Sequence, residues 1–463
     1  MGRRQTTAAV SLELEGFRYG SAPADALHGI SLQLPPGSLT VVRGASGAGK
    51  TTLGMILAGM LPRPGMDTMT GHLELAGTRI GYTPEHTPRI DPAGWATQVG
   101  LLPQEAGHYL SGIRETVAEE LAFTLENAGV PAPDMAHRVE RIARDFDLEH
   151  LLQRDPARLS GGQQRLVALA ALAVNESKVL VLDEPLAGLD ARATALVLDF
   201  MDRLRRRGCT LLVLACTTGV LDPDLVLDLE DGTLHASPGG DAPYPVTKRG
   251  SVTPDAPVLL EFRDADLGYS SGTSVLKDFE LSVRAGECVG LSGPNGAGKS
   301  TVLKAAAGLL DCRSGSLRAT DTGLLLQNPT DQLFERTVLR EVSFGLTKRG
   351  QLRQQVPQVL EQLGLADVAE SHPYELPASA RRLVALATVL VREPKVLLLD
   401  EPTEALDQEG IIRLLQVIDG ILEVGGAVLF TCHDWRFMEA TAHRVQHLGG
   451  NGPRGRDRSP TTG

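Results

Sequence analysis

One pattern constrains the fold of this chain more than any other, and it occurs twice. Gly44-Ala45-Ser46-Gly47-Ala48-Gly49-Lys50-Thr51 and Gly293-Pro294-Asn295-Gly296-Ala297-Gly298-Lys299-Ser300 both read GxxxxGK[ST]. Each follows a short apolar run, 39–42 or 288–291, and opens a helix-forming stretch. A strand, a glycine loop and a helix in that order call for a mostly parallel sheet covered by helices, an α/β fold. In such a loop the glycines let successive N–H groups wrap phosphate oxygens: Gly44, Gly47 and Gly49 in one copy, Gly293, Gly296 and Gly298, with Asn295 among them, in the other. Lys50 or Lys299 would neutralise the β and γ phosphates, and Thr51 or Ser300 would offer a hydroxyl to Mg²⁺. Thr52 and Thr301, one residue further on, belong to the same binding set.

The repeat divides the chain. Residues 9–236 and 258–449 each carry a full set of elements, and 463 residues leave ample length for two cores. Between them, 237–257 holds five prolines and three glycines without apolar period and reads as a flexible linker. The Gly/Pro/Arg-rich end, 450–463, reads as a disordered tail. Met1 to Thr6 fits a myristoylation pattern formally, but no apolar stretch follows, so the terminus is expected to be frayed.

Each unit also holds a buried-strand pattern closed by two carboxylates, Val179-Leu180-Val181-Leu182-Asp183-Glu184 and Val396-Leu397-Leu398-Leu399-Asp400-Glu401. The aspartate of such a pair can hold Mg²⁺, and the glutamate can orient or deprotonate an attacking water. About twenty residues before the first pair stands Leu159-Ser160-Gly161-Gly162-Gln163, a helix start left open for an anion.

In this order the motifs resemble those of the ATP-binding cassette (ABC) ATPases, with 159–163 as the family's signature, and the resemblance covers both units. It implies two P-loop NTPase domains, each with an antiparallel β part and a helical insertion, binding ATP and Mg²⁺. It implies adenine stacking for Tyr19 and Tyr269, and Q-loop roles at metal and water for Gln104 and Gln327. The segments around Gln327 (327–334) and at 337–345 are similar to the ATPases of energy-coupling factor importers, which take up vitamins or metal ions. The first Q-loop, Gln104-Glu105-Ala106-Gly107-His108-Tyr109, departs from that pattern. From Lys50 to Gln104 is 54 positions, from Lys299 to Gln327 only 28, so the second unit is expected to lack much of its small antiparallel sheet.

The copies differ where chemistry is expected. The family's switch histidine is His433 in the second unit; alignment on Cys216 and Cys432 puts Thr217 in its place in the first. The second signature position holds Leu376-Pro377-Ala378-Ser379-Ala380. Proline has no N–H, and the following side chains stand where backbone should approach phosphate. ABC domains pair head to tail. On that arrangement Glu401, His433 and Gln327 face the intact signature, whereas Glu184 faces the altered one. The expectation is one hydrolytic site and one that mainly holds ATP.

A net charge of −12 without a basic stripe speaks against nucleic acid as the main ligand. Uncharged apolar runs such as 166–174 and 383–391 are about half a membrane span. The five cysteines show no metal-binding spacing and suit a reducing compartment. The expected role is therefore the ATPase of an importer at the cytoplasmic face of the cell membrane. It would work with a transmembrane coupling subunit and a substrate-binding membrane subunit. The alternatives are the ATPase of another ABC transporter, or a soluble double-cassette protein.

Overall fold

The computed structural model describes residues 9–20, 22–75, 77–88, 90–237, 244, 252–269, 274–346 and 350–449. The amino terminus, most of the expected linker and the tail lie outside the described residues. The chain divides into two compact units, 1–241 and 242–463.

In the first unit a six-stranded sheet runs in the order Thr233–Ala236, Leu225–Glu230, Leu39–Arg43, Thr210–Ala215, Val179–Asp183, Val99–Leu102. Its inner strands are parallel and buried nearly end to end, which their continuous Val/Leu runs dictate. A separate antiparallel sheet orders Leu27–Leu34, Val10–Arg18, Thr68–Leu75 and Thr78–Tyr82; there the alternation at 12–15 turns Leu12 and Leu14 inward. The helices Val117–Asn127 and Ala132–Asp145 form the insertion ahead of the signature helix Gly161–Ala173.

The second unit repeats the plan with five strands, Thr322–Leu325, Val396–Leu399, Ala427–Thr431, Cys288–Ser292 and Arg444–His447. Its antiparallel sheet keeps three strands: Leu276–Arg284, Val258–Leu267 and Cys312–Ala319. The expected loss is thus smaller than the sequence suggested. What drops out is the counterpart of Thr78–Tyr82 and of the short helix Pro92–Ala96, because Cys312–Ala319 leads almost directly into Thr322–Leu325. In the first unit that short helix places Trp95 against the end of the phosphate-loop helix, where its Nε1–H donates to the Leu57 carbonyl at 3.0 Å.

Strand register aligns the two units independently of sequence. Leu39 pairs with Leu211 as Cys288 pairs with Val428, and Leu182 pairs with Val213 as Leu399 pairs with Phe430. Position for position, Leu214 therefore stands for Thr431 and Cys216 for His433.

Candidate nucleotide sites

Each phosphate loop ends in a glycine that caps the following helix in a left-handed conformation, Gly49 at φ 103° before Lys50–Leu57 and Gly298 at φ 96° before Lys299–Ala306. A Cβ on Gly49 would come within 2.7 Å of Leu27, so conformation and space both require glycine there. Gly47 and Gly296 share the positive φ, while Gly44 and Gly293 pass close under the carbonyls of Leu229 and Leu448. The lysines fold onto their own loops. Lys50 Nζ donates to the carbonyls of Gly44 and Ala45 at 2.6 and 2.9 Å, and Lys299 Nζ to those of Gly293 and Pro294 at 2.7 and 3.3 Å. Each ammonium is thereby held within the cradle that would receive phosphate. Thr52 and Thr301 are buried in the helices below, whereas Asn295 is exposed on its loop.

In the second unit the acid pair is buried. The His433 N–H donates to Glu401 Oε2 at 3.0 Å, and His433 Nε2 lies 3.3 Å from Glu401 Oε1, which is otherwise unsatisfied. Burial, with the Asp400 charge adding to it, pushes the Glu401 carboxyl up to about 7; the His433 N–H and Lys299 oppose that rise. Asp400 Oδ1 accepts a hydrogen bond from the Thr431 hydroxyl at 2.8 Å.

The first unit holds its pair differently. Thr51 Oγ1 donates to Asp183 Oδ2 at 2.6 Å, which brings the two expected metal-binding groups together. Glu184 Oε1 accepts the Cys216 N–H at 2.7 Å. Burial raises both carboxyls above their ordinary range. The residue in the place of His433 is therefore Cys216, and the assignment of Thr217 to that place is corrected. The matching cysteines invited an alignment one residue out of step, whereas strand register and the carboxylate contact agree on Cys216. Its Sγ lies 3.8 Å from Lys50 Nζ.

The signatures also part company. Ser160 starts its helix with a capping box: Ser160 Oγ accepts the Gln163 N–H at 3.4 Å, and Gln163 Oε1 accepts the Ser160 N–H at 3.1 Å. A Cβ on exposed Gly161 would meet nothing within 4 Å, so this end is open to a ligand. Gly162 follows half-buried in the first turn. In the second unit Pro377 stands at the cap without a side-chain bond. Ser379, in the place of Gly162, is buried and donates to Asp407 Oδ1 at 3.0 Å.

The family profile described as ABC transporter matches residues 27–187 and 276–404, more than half of the chain. The chain belongs to the ABC transporter family. A Methanosarcina acetivorans relative, provisionally named an ABC transporter ATP-binding protein, is 30% identical over 94% of this chain and 88% of its own. A Vibrio parahaemolyticus relative with the same provisional name is 29% identical over 91% and 84%. Among solved structures, an archaeal ribosome recycling factor in complex with a ribosomal stalk protein matches with TM-score 0.66 at 21% identity, covering 94% of this chain and 88% of that one. That likeness concerns the fold. The chain is a double-cassette ATPase, and its two cassettes bind ATP.

The remaining ABC residues fall around these centres. Gln104 and Gln327 follow the strands Val99–Leu102 and Thr322–Leu325, and Gln327 Nε2 reaches Glu404 Oε2 at 3.4 Å. Tyr19 is tied inward, its hydroxyl 2.9 Å from Thr52 Oγ1, whereas Tyr269 is about half exposed. The turns that follow the acid pairs differ by a methyl group: Gly188 has φ 70°, and Ala405 keeps φ 62° despite its side chain.

Two residues escaped the sequence reading as functional. Buried Arg382 donates to the carbonyls of Gln327 (2.6 Å), Asp400 (3.0 Å), Glu401 and Pro402 (3.1 Å), joining Q-loop to acid pair. Arg165 does the same toward Gln104 (2.9 Å) and Glu184. An arginine directly ahead of the apolar runs 166–174 and 383–391 in both units was the signal.

Proposed function

We propose that the chain drives a membrane importer from the cytoplasmic face, with the phosphate loop of the second unit performing hydrolysis. One observation carries the choice of unit: Glu401 has the His433 imidazole at its carboxylate, where Glu184 has Cys216, which cannot supply an imidazole.

In this reading the cassettes pair head to tail. Lys299, Ser300, Gln327, Asp400, Glu401 and His433 then work against Ser160, Gly161, Gly162 and Gln163. The other site joins Lys50, Thr51, Gln104, Asp183 and Glu184 to 376–380 and holds ATP. Thr51 with Asp183, and Ser300 with Asp400, are the groups that would hold Mg²⁺; the contact between Thr51 and Asp183 supports that fit. When bound, the ion offsets charge on the β and γ phosphates. Glu401 takes the proton of the attacking water, and His433 braces the arrangement.

The wider statement, ATPase of an ABC transporter, is supported by the relatives' provisional names. The energy-coupling type rests on the Q-loop segments alone. Beside the second Q-loop, Phe334 and Phe344 form an exposed edge-to-face pair with centroids 4.5 Å apart, which suits a helix of a transmembrane coupling subunit. No described helix is long and apolar enough to cross a membrane. In this reading the chain works with a transmembrane coupling subunit and a substrate-binding membrane subunit. A second reading, a double cassette working without a membrane partner, draws on the likeness of fold to the ribosome recycling factor. Purifying the tagged chain from detergent-solubilised cells decides between them. An integral membrane protein in stoichiometric amount is the expected result; ribosomal particles without one would support the second reading.

A further inference from the structure

The strand Ala427–Thr431 ends beside the acid pair of the second unit, and Thr431 is completely buried there. Its hydroxyl makes two bonds at once. It donates to Asp400 Oδ1 at 2.8 Å and accepts the Glu401 N–H at 2.9 Å. A hydroxyl carries one donor and two acceptor positions, so both bonds are compatible. The group it holds is under local strain. Glu401 has φ 48°, a left-handed conformation that a residue with a Cβ adopts only when its surroundings enforce it. Glu184 turns the same way at φ 49°, so the turn belongs to both units and only its support differs.

We propose that Thr431 is a positioning residue of the hydrolytic site, its hydroxyl fixing Asp400 and Glu401 relative to one another. It acts through those two residues and needs no contact with nucleotide. The other unit shows that the fold does not require this device. Leu214 stands in the same place, the Glu184 N–H goes to the Leu214 carbonyl at 2.9 Å, and Asp183 takes its hydroxyl bond from Thr51 of the phosphate loop. In the first unit the aspartate is thus tied to the loop that would receive ATP. In the second it is tied to the neighbouring strand, independently of that loop.

The inference rests on the reading that the second unit hydrolyses ATP, and its test separates the two claims. Thr431→Val keeps the shape and removes the hydroxyl, Thr431→Ser keeps the hydroxyl, and Glu401→Gln serves as reference. Phosphate release by the full-length chain is measured against ATP and Mg²⁺ concentration, with binding of a fluorescent ATP analogue alongside. The expected result for Thr431→Val is a kcat lower by about 10–100-fold, as when a partner behind a metal ligand is removed, and a higher Mg²⁺ requirement. ATP-analogue affinity should stay within about twofold, and Thr431→Ser should keep at least about half of kcat, because only the hydroxyl matters in this account. Unchanged kcat in Thr431→Val overturns the assignment. So does an equal loss in Thr431→Ser, which would trace the effect to packing. Should Thr431→Val fail to fold, Thr431→Cys, a weak donor of similar size, is expected to fall between Ser and a dead enzyme; full activity there overturns the claim as well. If Glu401→Gln itself keeps turnover, the reading of the second unit fails and Thr431 falls with it. If Glu401→Gln is dead and Thr431→Val active, only the threonine assignment is lost.

Discussion

The same buried strand ends in the same Asp-Glu-Pro in both units, yet the two ends are supported from different directions. In the second unit, Thr431 at the end of the neighbouring strand and His433 just beyond it reach across to Asp400 and Glu401. In the first, the support comes from Thr51 of the phosphate loop, from the Leu214 carbonyl, and from Cys216 by both its N–H and its side chain. The acids are the same in both units, and their surroundings differ. The contrast teaches that two cassettes with the same binding motifs can differ in what stands behind their carboxylates, and the proposed reading assigns hydrolysis on that difference.

The largest expected effect sets the two glutamates against each other. Glu401→Gln should lower phosphate release by about 10²–10⁴-fold, the usual contribution of a general base, while Glu184→Gln leaves most of it. Equal losses would erase the distinction between the units. The signatures give the next contrast. Ser160→Ala removes a donor expected at the γ-phosphate and should lower kcat by about 10²-fold. Ser379→Ala should leave kcat within about twofold but lower the stability of its unit by about 1 kcal/mol, through the lost bond to Asp407. A large kcat loss in Ser379→Ala would mean that the altered signature still takes part in turnover.

A smaller effect follows from the raised Glu401 carboxyl. Only its ionised form can accept a proton, so with a pKa of about 7 kcat/KM should rise about tenfold from pH 6 to pH 8. Glu184→Gln should retain that limb. Because the folded form holds this proton more tightly than the unfolded one, stability should fall as pH rises from the ordinary carboxylate range through about 7, which melting curves can follow. Smallest of all, Ala405→Gly relieves a left-handed alanine in the turn after the acid pair and should change the stability of the second unit by under about 1 kcal/mol.

Much of this was legible in the sequence because it depends on local chemistry. GxxxxGK[ST] behind an apolar run leaves little choice but strand, loop and helix, and both copies fold that way. Ser160 with Gln163 was recognisable as a helix start, and the structure gives it a full capping box. What was not legible depends on pairing between strands. The register that puts Cys216 in the place His433 holds in the other unit is a property of each sheet, and matching cysteines were a false landmark. The bonds of Thr431 were hidden for the same reason, since nothing local marks a threonine at a strand end as the partner of acids some thirty residues earlier. The shortened segment before Gln327 misled in degree, because its length did not reveal that three antiparallel strands survive.

The central claim is that one chain carries one hydrolysing and one ATP-holding cassette. The most direct measurement traps the assembled complex with vanadate and a photoreactive ATP, then identifies by mass spectrometry which phosphate loop carries trapped diphosphate. The account predicts trapped diphosphate at 293–300 and unhydrolysed nucleotide at 44–51. Trapped diphosphate at both loops in equal amount would contradict it.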